Sequence, residues 1–231
     1  MMPPWTLSVV LKALLEKPFE PLATMDLRIL TLKTVFLVAI TTARRSSELS
    51  ALRMDPPFLN FHKDKVVLRT DPTFLPKVSL AFHVNEDIIL PSFFPSPSLP
   101  IENTLHMLDV KRAIAFYIHR TSNFRKNQRL FVCYAGTNKG QKVSSQRLSS
   151  WVVLAIKLAY ELQGIPLMNH VRAHSTRGIL TSTALARGVS IPDICRAATW
   201  SNPSTFINHY RLDTRARSDC HFRRGVLSAI L

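Results

Sequence analysis

His174 and Arg177 stand three residues apart in a stretch of helical spacing, so an imidazole and a guanidinium can be presented to one anionic ligand. A second basic group, Arg44-Arg45, is followed by Glu48, three residues after Arg45. Phe206 and Tyr210 are four apart and share a face of the last helix. Lys77 stands apart from these groups, after the turn-rich stretch Thr70–Thr73. Taken singly, each has an ordinary explanation. A histidine with an arginine three later is common on helix surfaces, Arg45 and Glu48 form a plain i,i+3 pair, a lone tyrosine usually packs half-buried, and a lone lysine carries no signal.

The elements that must hold these groups are legible from periodicity. Leu7 to Leu15 has helical spacing and ends at Lys17-Pro18. Leu27 to Ala43 predicts a second helix with little polar face, nearly surrounded by protein, and Arg44, Arg45 and Glu48 follow directly at its end. Residues 53–84 change to strand period: Val66 and Leu68, then Val78, Leu80, Phe82 and Val84, alternate around the turn Thr70-Asp71-Pro72-Thr73. This predicts a small antiparallel sheet with Lys77 near the start of its returning strand. Four prolines make residues 91–100 a loop. Helices are expected over Thr104–His119 and Ser145–Gln163, with Gly164 ending the latter, and a short strand over Leu130–Tyr134. His174 begins a helix that Gly188 can end, Ser190 and Asp193 start a short one, and Asn202-Pro203 opens the last. The fold class is mainly α with a small antiparallel β-sheet (α+β).

Composition narrows the chemistry. The chain has 231 residues, 46% of them hydrophobic and 19% charged, which suits a globular domain. The longest early charge-free apolar stretch, Thr34 to Ala43, is too short for a bilayer, so no membrane partner is expected. Cys133, Cys195 and Cys220 are widely spaced and read as reduced thiols, not as a disulfide frame or a zinc site. Thirty Lys and Arg face fifteen Asp and Glu, and the excess is uneven. Residues 1–100 carry 11 basic and 9 acidic side chains; residues 101–231 carry 19 and 6. Between Lys111 and Arg177 there are twelve basic residues and one acid, Glu161. Such a field attracts a polyanion, above all nucleic acid. The carboxylates are scattered, and six glycines form no phosphate cradle, so no metal site and no cofactor are expected.

The order of these groups resembles a known family. Thr42-Ala43-Arg44-Arg45-Ser46-Ser47-Glu48-Leu49 is similar to the first box of the tyrosine recombinase (phage integrase) catalytic domain, typically Thr-Gly-x-Arg-x-x-Glu-Leu. His174-x-x-Arg177 resembles the second box, and Tyr210 on a late helix resembles the nucleophile. The stretch from Trp5 through Leu52, with Leu32-Lys33-Thr34 before the arginine box, looks most like recombinases of DIRS-type retrotransposons. The resemblance covers essentially the whole chain as one catalytic domain, residues 1–231, with a core of about 5–212 and a C-terminal tail of 213–231. The family's N-terminal core-binding domain is expected to be absent.

The resemblance implies DNA cleavage and rejoining through a 3′-phosphotyrosyl intermediate, in the recombination or integration of a mobile element. Tyr210 would attack the scissile phosphorus. Arg45 and Arg177 would clamp its non-bridging oxygens. His174 would serve proton transfer and positioning, and Lys77 would be the general acid for the leaving 5′-oxygen. Trp200 would donate its indole N–H to the phosphate, and Glu48 would hold the arginine box and the histidine in place. Arg44, Lys139, Lys142, Arg147 and Arg172 are candidate DNA contacts. Double-stranded DNA is the implied partner, with four copies at synapsis, and the nucleus the implied location, or the cytoplasm before nuclear entry. This sequence departs from the pattern at Ala43, where glycine is common, and at Trp200, ten residues before Tyr210 where nine is usual. Two other activities stay open: a DNA-binding module that no longer recombines, and type IB topoisomerase-like relaxation.

Overall fold

The computed structural model describes residues 4–76, 87–167, 171–200 and 202–209. Its centre is α2 (Leu27–Thr42), started by the Asp26 carboxylate, which accepts from the Arg28 N–H. Leu30, Leu32, Val35, Phe36, Leu37 and Val38 are all buried, so α2 is covered on every side, as its lack of a polar face predicts. Around it pack α5 (Val110–Thr121), α6 (Ser145–Leu162) and α7 (Ala173–Ala186), and α1 (Leu7–Ala13) lies against α6. Lys33 is the exception on α2. Fully buried, it donates to the carbonyls of Leu14 and Phe19 and to Glu20 Oε1 at 2.6 Å, while Arg112 of α5 grips the same carboxylate.

The sheet is antiparallel, in the order β1 (Leu59–Phe61), β2 (Lys65–Leu68), β3 (Ile88–Pro91). Leu59, Leu68 and Ile88 share one register row, and Val66 pairs with Leu90, so alternate positions bury one apolar face. Val66 and Leu68 are buried in β2 as expected, but Val67 between them is buried too, so the strand is covered on both faces there and does not alternate. The returning strand expected from Val78 to Val84, with Lys77, lies outside the described residues.

Two expectations are corrected. In place of one helix over Thr104–His119 there are α4 (Pro100–Met107) and α5, broken at Leu108-Asp109. The Asp109 carboxylate accepts from the Arg112 N–H at the start of α5, and also from Ser92 Oγ and the Phe93 N–H of the proline-rich loop. That triple acceptor is worth more as a cap than as a mid-helix residue. Among the described residues Leu130–Tyr134 makes one isolated bridge, Val132 to Lys142, with another, Arg53 to Arg129, just before it. The buried Tyr117 hydroxyl takes both hydrogen bonds of Val132, standing in for a neighbouring strand.

The remaining helices follow their caps. Ser144 caps α6, and Gly164, at φ +63°, follows its end. Ser190 caps α8 (Ile191–Ala197), and Asn202 caps α9 (Pro203–His209) through the Ser204 N–H. The buried apolar residues form a large cluster around α2 and a small one of Ala43, Leu180, Ile194, Cys195, Ala198, Trp200 and Phe206. This small cluster ties the end of α2 to α7, α8 and α9. Cys133 and Cys195 are buried free thiols. Among the described residues no helix is long and apolar enough to cross a membrane.

Candidate functional site

The site begins where α2 stops. Ala43 takes a left-handed conformation, φ 51°, which ends the helix and turns the chain into α3 (Ser46–Ala51). Arg45 is the N-cap of α3, and Glu48 reaches back from its first turn to the Arg45 N–H at 2.8 Å. The same buried carboxylate pairs with Arg44 Nη1 at 3.2 Å and lies 3.4 Å from the Thr199 hydroxyl, at the turn between α8 and α9. Glu48 thus joins the first arginine box to the chain around Trp200. It also separates the two arginines. Arg44 is bound to Glu48, whereas the Arg45 guanidinium has no hydrogen bond or ion pair with the described residues.

Arg177 is buried on α7 with 4% of its surface exposed. Its Nε donates to the Ala43 carbonyl at 2.8 Å and its Nη2 to the Ala198 carbonyl. The guanidinium lies 5.0 Å from the centre of the Trp200 ring, which is itself stacked on Phe206. Carbonyl acceptors and an aromatic face therefore hold this buried cation. The left-handed turn at Ala43 aims its carbonyl at Arg177, so the chain reversal that places Arg45 also anchors the second arginine.

Arg44, Arg45, His174 and Arg177 line one cleft of about 330 Å³. His174 is exposed at the start of α7. The lining also carries neutral donors: Ser46 and Ser47 of α3, and Ser145, Gln146 and Ser149 of α6, with Ser149 Oγ donating to Ser46 Oγ at 2.8 Å. Thr176 completes the lining between His174 and Arg177. The guanidinium groups of Arg45 and Arg177 and the His174 imidazole, among hydroxyls, make a receptor for an oxyanion with several oxygens, and phosphate fits that donor set.

The structure brings together Arg45, His174 and Arg177, with Glu48 behind them. Trp200 does not line the cleft; it is buried beneath Arg177 and reaches the site through that guanidinium. Lys77 and Tyr210 lie outside the described residues. Of the expected DNA contacts, Lys139, Lys142, Arg147 and Arg172 are exposed, and Lys139 Nζ sits 4.6 Å over the Phe124 ring. Arg147 lines a separate cavity with Cys133 and Trp151, and donates to Cys133 Sγ at 3.2 Å. The neutral donors of the lining were missed from sequence; their available signal was the i,i+4 pair Ser145 and Ser149 on a helix otherwise read only for its core.

Solved structures share this architecture. The XerH site-specific recombinase bound to palindromic difH substrate, in a post-cleavage complex, matches with a TM-score of 0.60 at 12% identity, over 96% of this chain and 53% of that one. The XerA recombinase matches with a TM-score of 0.60 at 18% identity, over 96% and 64%. A pre-cleavage XerH complex gives 0.58 at 13%, over 93% and 51%. This chain therefore spans between half and two thirds of the length of these recombinases. At such identities the likeness is one of fold, mainly helical with a small antiparallel sheet. No protein-family model and no curated protein matches the chain.

Proposed function

We propose that this chain is a DNA breaking-and-rejoining catalytic domain of the tyrosine recombinase type. One observation carries the reading: Arg45 and His174-x-x-Arg177, far apart in the chain, line one oxyanion-sized cleft within a fold shared with site-specific recombinases. In the proposed reaction the Tyr210 phenol oxygen bonds to phosphorus and the bond from phosphorus to the 5′-oxygen breaks, leaving a 3′-phosphotyrosyl link. Arg45 and Arg177 neutralise the charge that builds on the non-bridging oxygens. His174 takes part in proton transfer, and Lys77 protonates the leaving oxygen. Attack by a 5′-hydroxyl reverses the sequence and restores the tyrosine. The covalent link conserves the phosphodiester's energy, so the reaction as written needs neither a nucleotide cofactor nor a metal. Trp200 and Glu48 act through Arg177 and Arg45, which they hold.

The partner is double-stranded DNA, gripped along its backbone by the basic second half of the chain, including Lys139, Lys142, Arg147 and Arg172. Strand exchange requires four copies. A mobile element acting in the nucleus is the setting that the sequence resemblance favours. The experiment is a nicked duplex that traps the covalent adduct. Wild type is expected to give a protein–DNA adduct that survives denaturant without any divalent ion, and Tyr210→Phe none. Adduct from Tyr210→Phe removes that residue from the mechanism. Duplex binding with no wild-type adduct identifies a module that binds without recombining.

A further inference from the structure

Threonine in a helix normally turns its hydroxyl onto the carbonyl four residues back. Five of the six buried helical threonines among the described residues do so: Thr31, Thr34, Thr42, Thr121 and Thr181 donate to Leu27, Leu30, Val38, Tyr117 and Arg177. The sixth is Thr176. It is 3% exposed, and its Oγ1 is buried without a hydrogen-bond partner. Its usual acceptor, the Arg172 carbonyl, is already engaged by Ser175, through the backbone N–H at 3.0 Å and through Oγ at 2.6 Å. Two donors occupy both lone pairs of that oxygen. Ser175 is held in this role by Trp5, whose indole N–H donates to Ser175 Oγ at 3.1 Å. Trp5 is in turn buried against Phe36 of α2. The network from Trp5 through Ser175 to Arg172 withholds the acceptor that would otherwise absorb the Thr176 hydroxyl.

That hydroxyl belongs to a residue lining the cleft, flanked in sequence by nothing but Ser175 and Arg177 and one residue removed from His174. A buried donor without a partner is costly, and in a native structure it calls for an explanation, a bound ion among them. We propose that Thr176 is a further phosphate-binding residue, whose hydroxyl donates to a non-bridging oxygen of the phosphodiester in this cleft. The proposal requires the hydroxyl to face the cleft, and threonine in a helix has two χ1 rotamers available to it. The donor is neutral and adds no charge to the two guanidinium groups. The inference rests on the reading of the cleft as a phosphodiester site, and its test separates the two.

The variant is Thr176→Val, which keeps shape and removes the hydroxyl; Thr176→Ser restores it. Two quantities are measured on the full chain: the rate of adduct formation on the nicked duplex, and the rise in thermal unfolding midpoint caused by inorganic phosphate. Thr176→Val is expected to unfold at or above the wild-type midpoint without phosphate, because it buries no orphaned donor. It should lose roughly tenfold in adduct rate, the worth of one hydrogen bond, and most of the phosphate-induced rise. Thr176→Ser should recover both. A lowered midpoint or failure to fold in Thr176→Val overturns the proposal, since the hydroxyl then has a structural partner. So does an undiminished phosphate response, whatever the rate. If wild type forms no adduct while its phosphate response still depends on the Thr176 hydroxyl, the strand-cleavage reading fails and this assignment stands.

Discussion

A single carboxylate sorts the two adjacent arginines of the first box. Glu48 takes Arg44 into an ion pair and fixes the Arg45 backbone through its N–H, which leaves the Arg45 side chain to the cleft. Both Arg44 and Glu48 are nearly inaccessible, with side-chain exposures of 8% and 6%, so removing Glu48 takes an ion-pair partner from a buried cation. Glu48→Ala should therefore cost about 3 kcal/mol in urea unfolding. Glu48→Gln, which still accepts from the Arg45 N–H, should cost less and retain more adduct formation. Equal losses for the two variants would show that the cap is irrelevant and charge alone matters. Arg177 is arranged differently: the Ala43 and Ala198 carbonyls accept from its guanidinium, and the Trp200 ring lies against it.

At the level of elements, α2 supplies both the core and the platform. Its one buried cation, Lys33, sews the chain between α1 and α2 onto the helix, and Arg112 brings α5 to the same point through Glu20. Burial brings the Lys33 ammonium down to about 8 from its ordinary 10.5, although Glu20 opposes the shift. Between those two values the unfolded chain binds more protons at this position than the folded one, so its contribution makes stability rise with pH. Burial works to raise Glu20, but Arg112 and Lys33 outweigh it and hold the carboxyl below 4.5; its stabilising contribution is present above that value and is lost as pH falls through its folded pKa. Urea unfolding of wild type and Lys33→Met at pH 7.5 and pH 10 isolates the lysine. The difference between the two proteins should move in favour of wild type at the higher pH. A shift in the opposite direction would mean that Lys33 is stabilised as a cation by its three acceptors.

For the whole molecule the governing quantity is charge. A formal +15, concentrated in the second half of the sequence, makes duplex binding fall steeply with salt. Lys139→Ala and Lys142→Ala, at exposed positions away from the cleft lining, should each weaken binding about equally on unrelated sequences. Each should also reduce the slope of log affinity against log salt by about 1. Titrations at several salt concentrations read this directly, and an unchanged slope would place those residues off the DNA. The comparison with Thr176→Val is informative at this scale, because loss of a neutral donor leaves the slope where it was.

Much of this was written locally. Asp26, Ser144, Ser190 and Asn202 start helices through their own side chains, the all-round apolar run of α2 announces its burial, and His174 and Arg177 share a face because a helix repeats every 3.6 residues. Arg45 rather than Arg44 fits the resemblance because it stands three residues before Glu48. The tertiary structure alone decided the rest. Asp109 breaks a helix because Ser92 and Phe93 come to its carboxylate, Trp200 lies beneath Arg177 because Phe206 stacks on it, and Thr176 keeps its hydroxyl because Trp5, far away in sequence, engages Ser175. Spacing along a helix or turn encodes contacts within a few residues, whereas each of these depends on groups that meet only when distant segments pack.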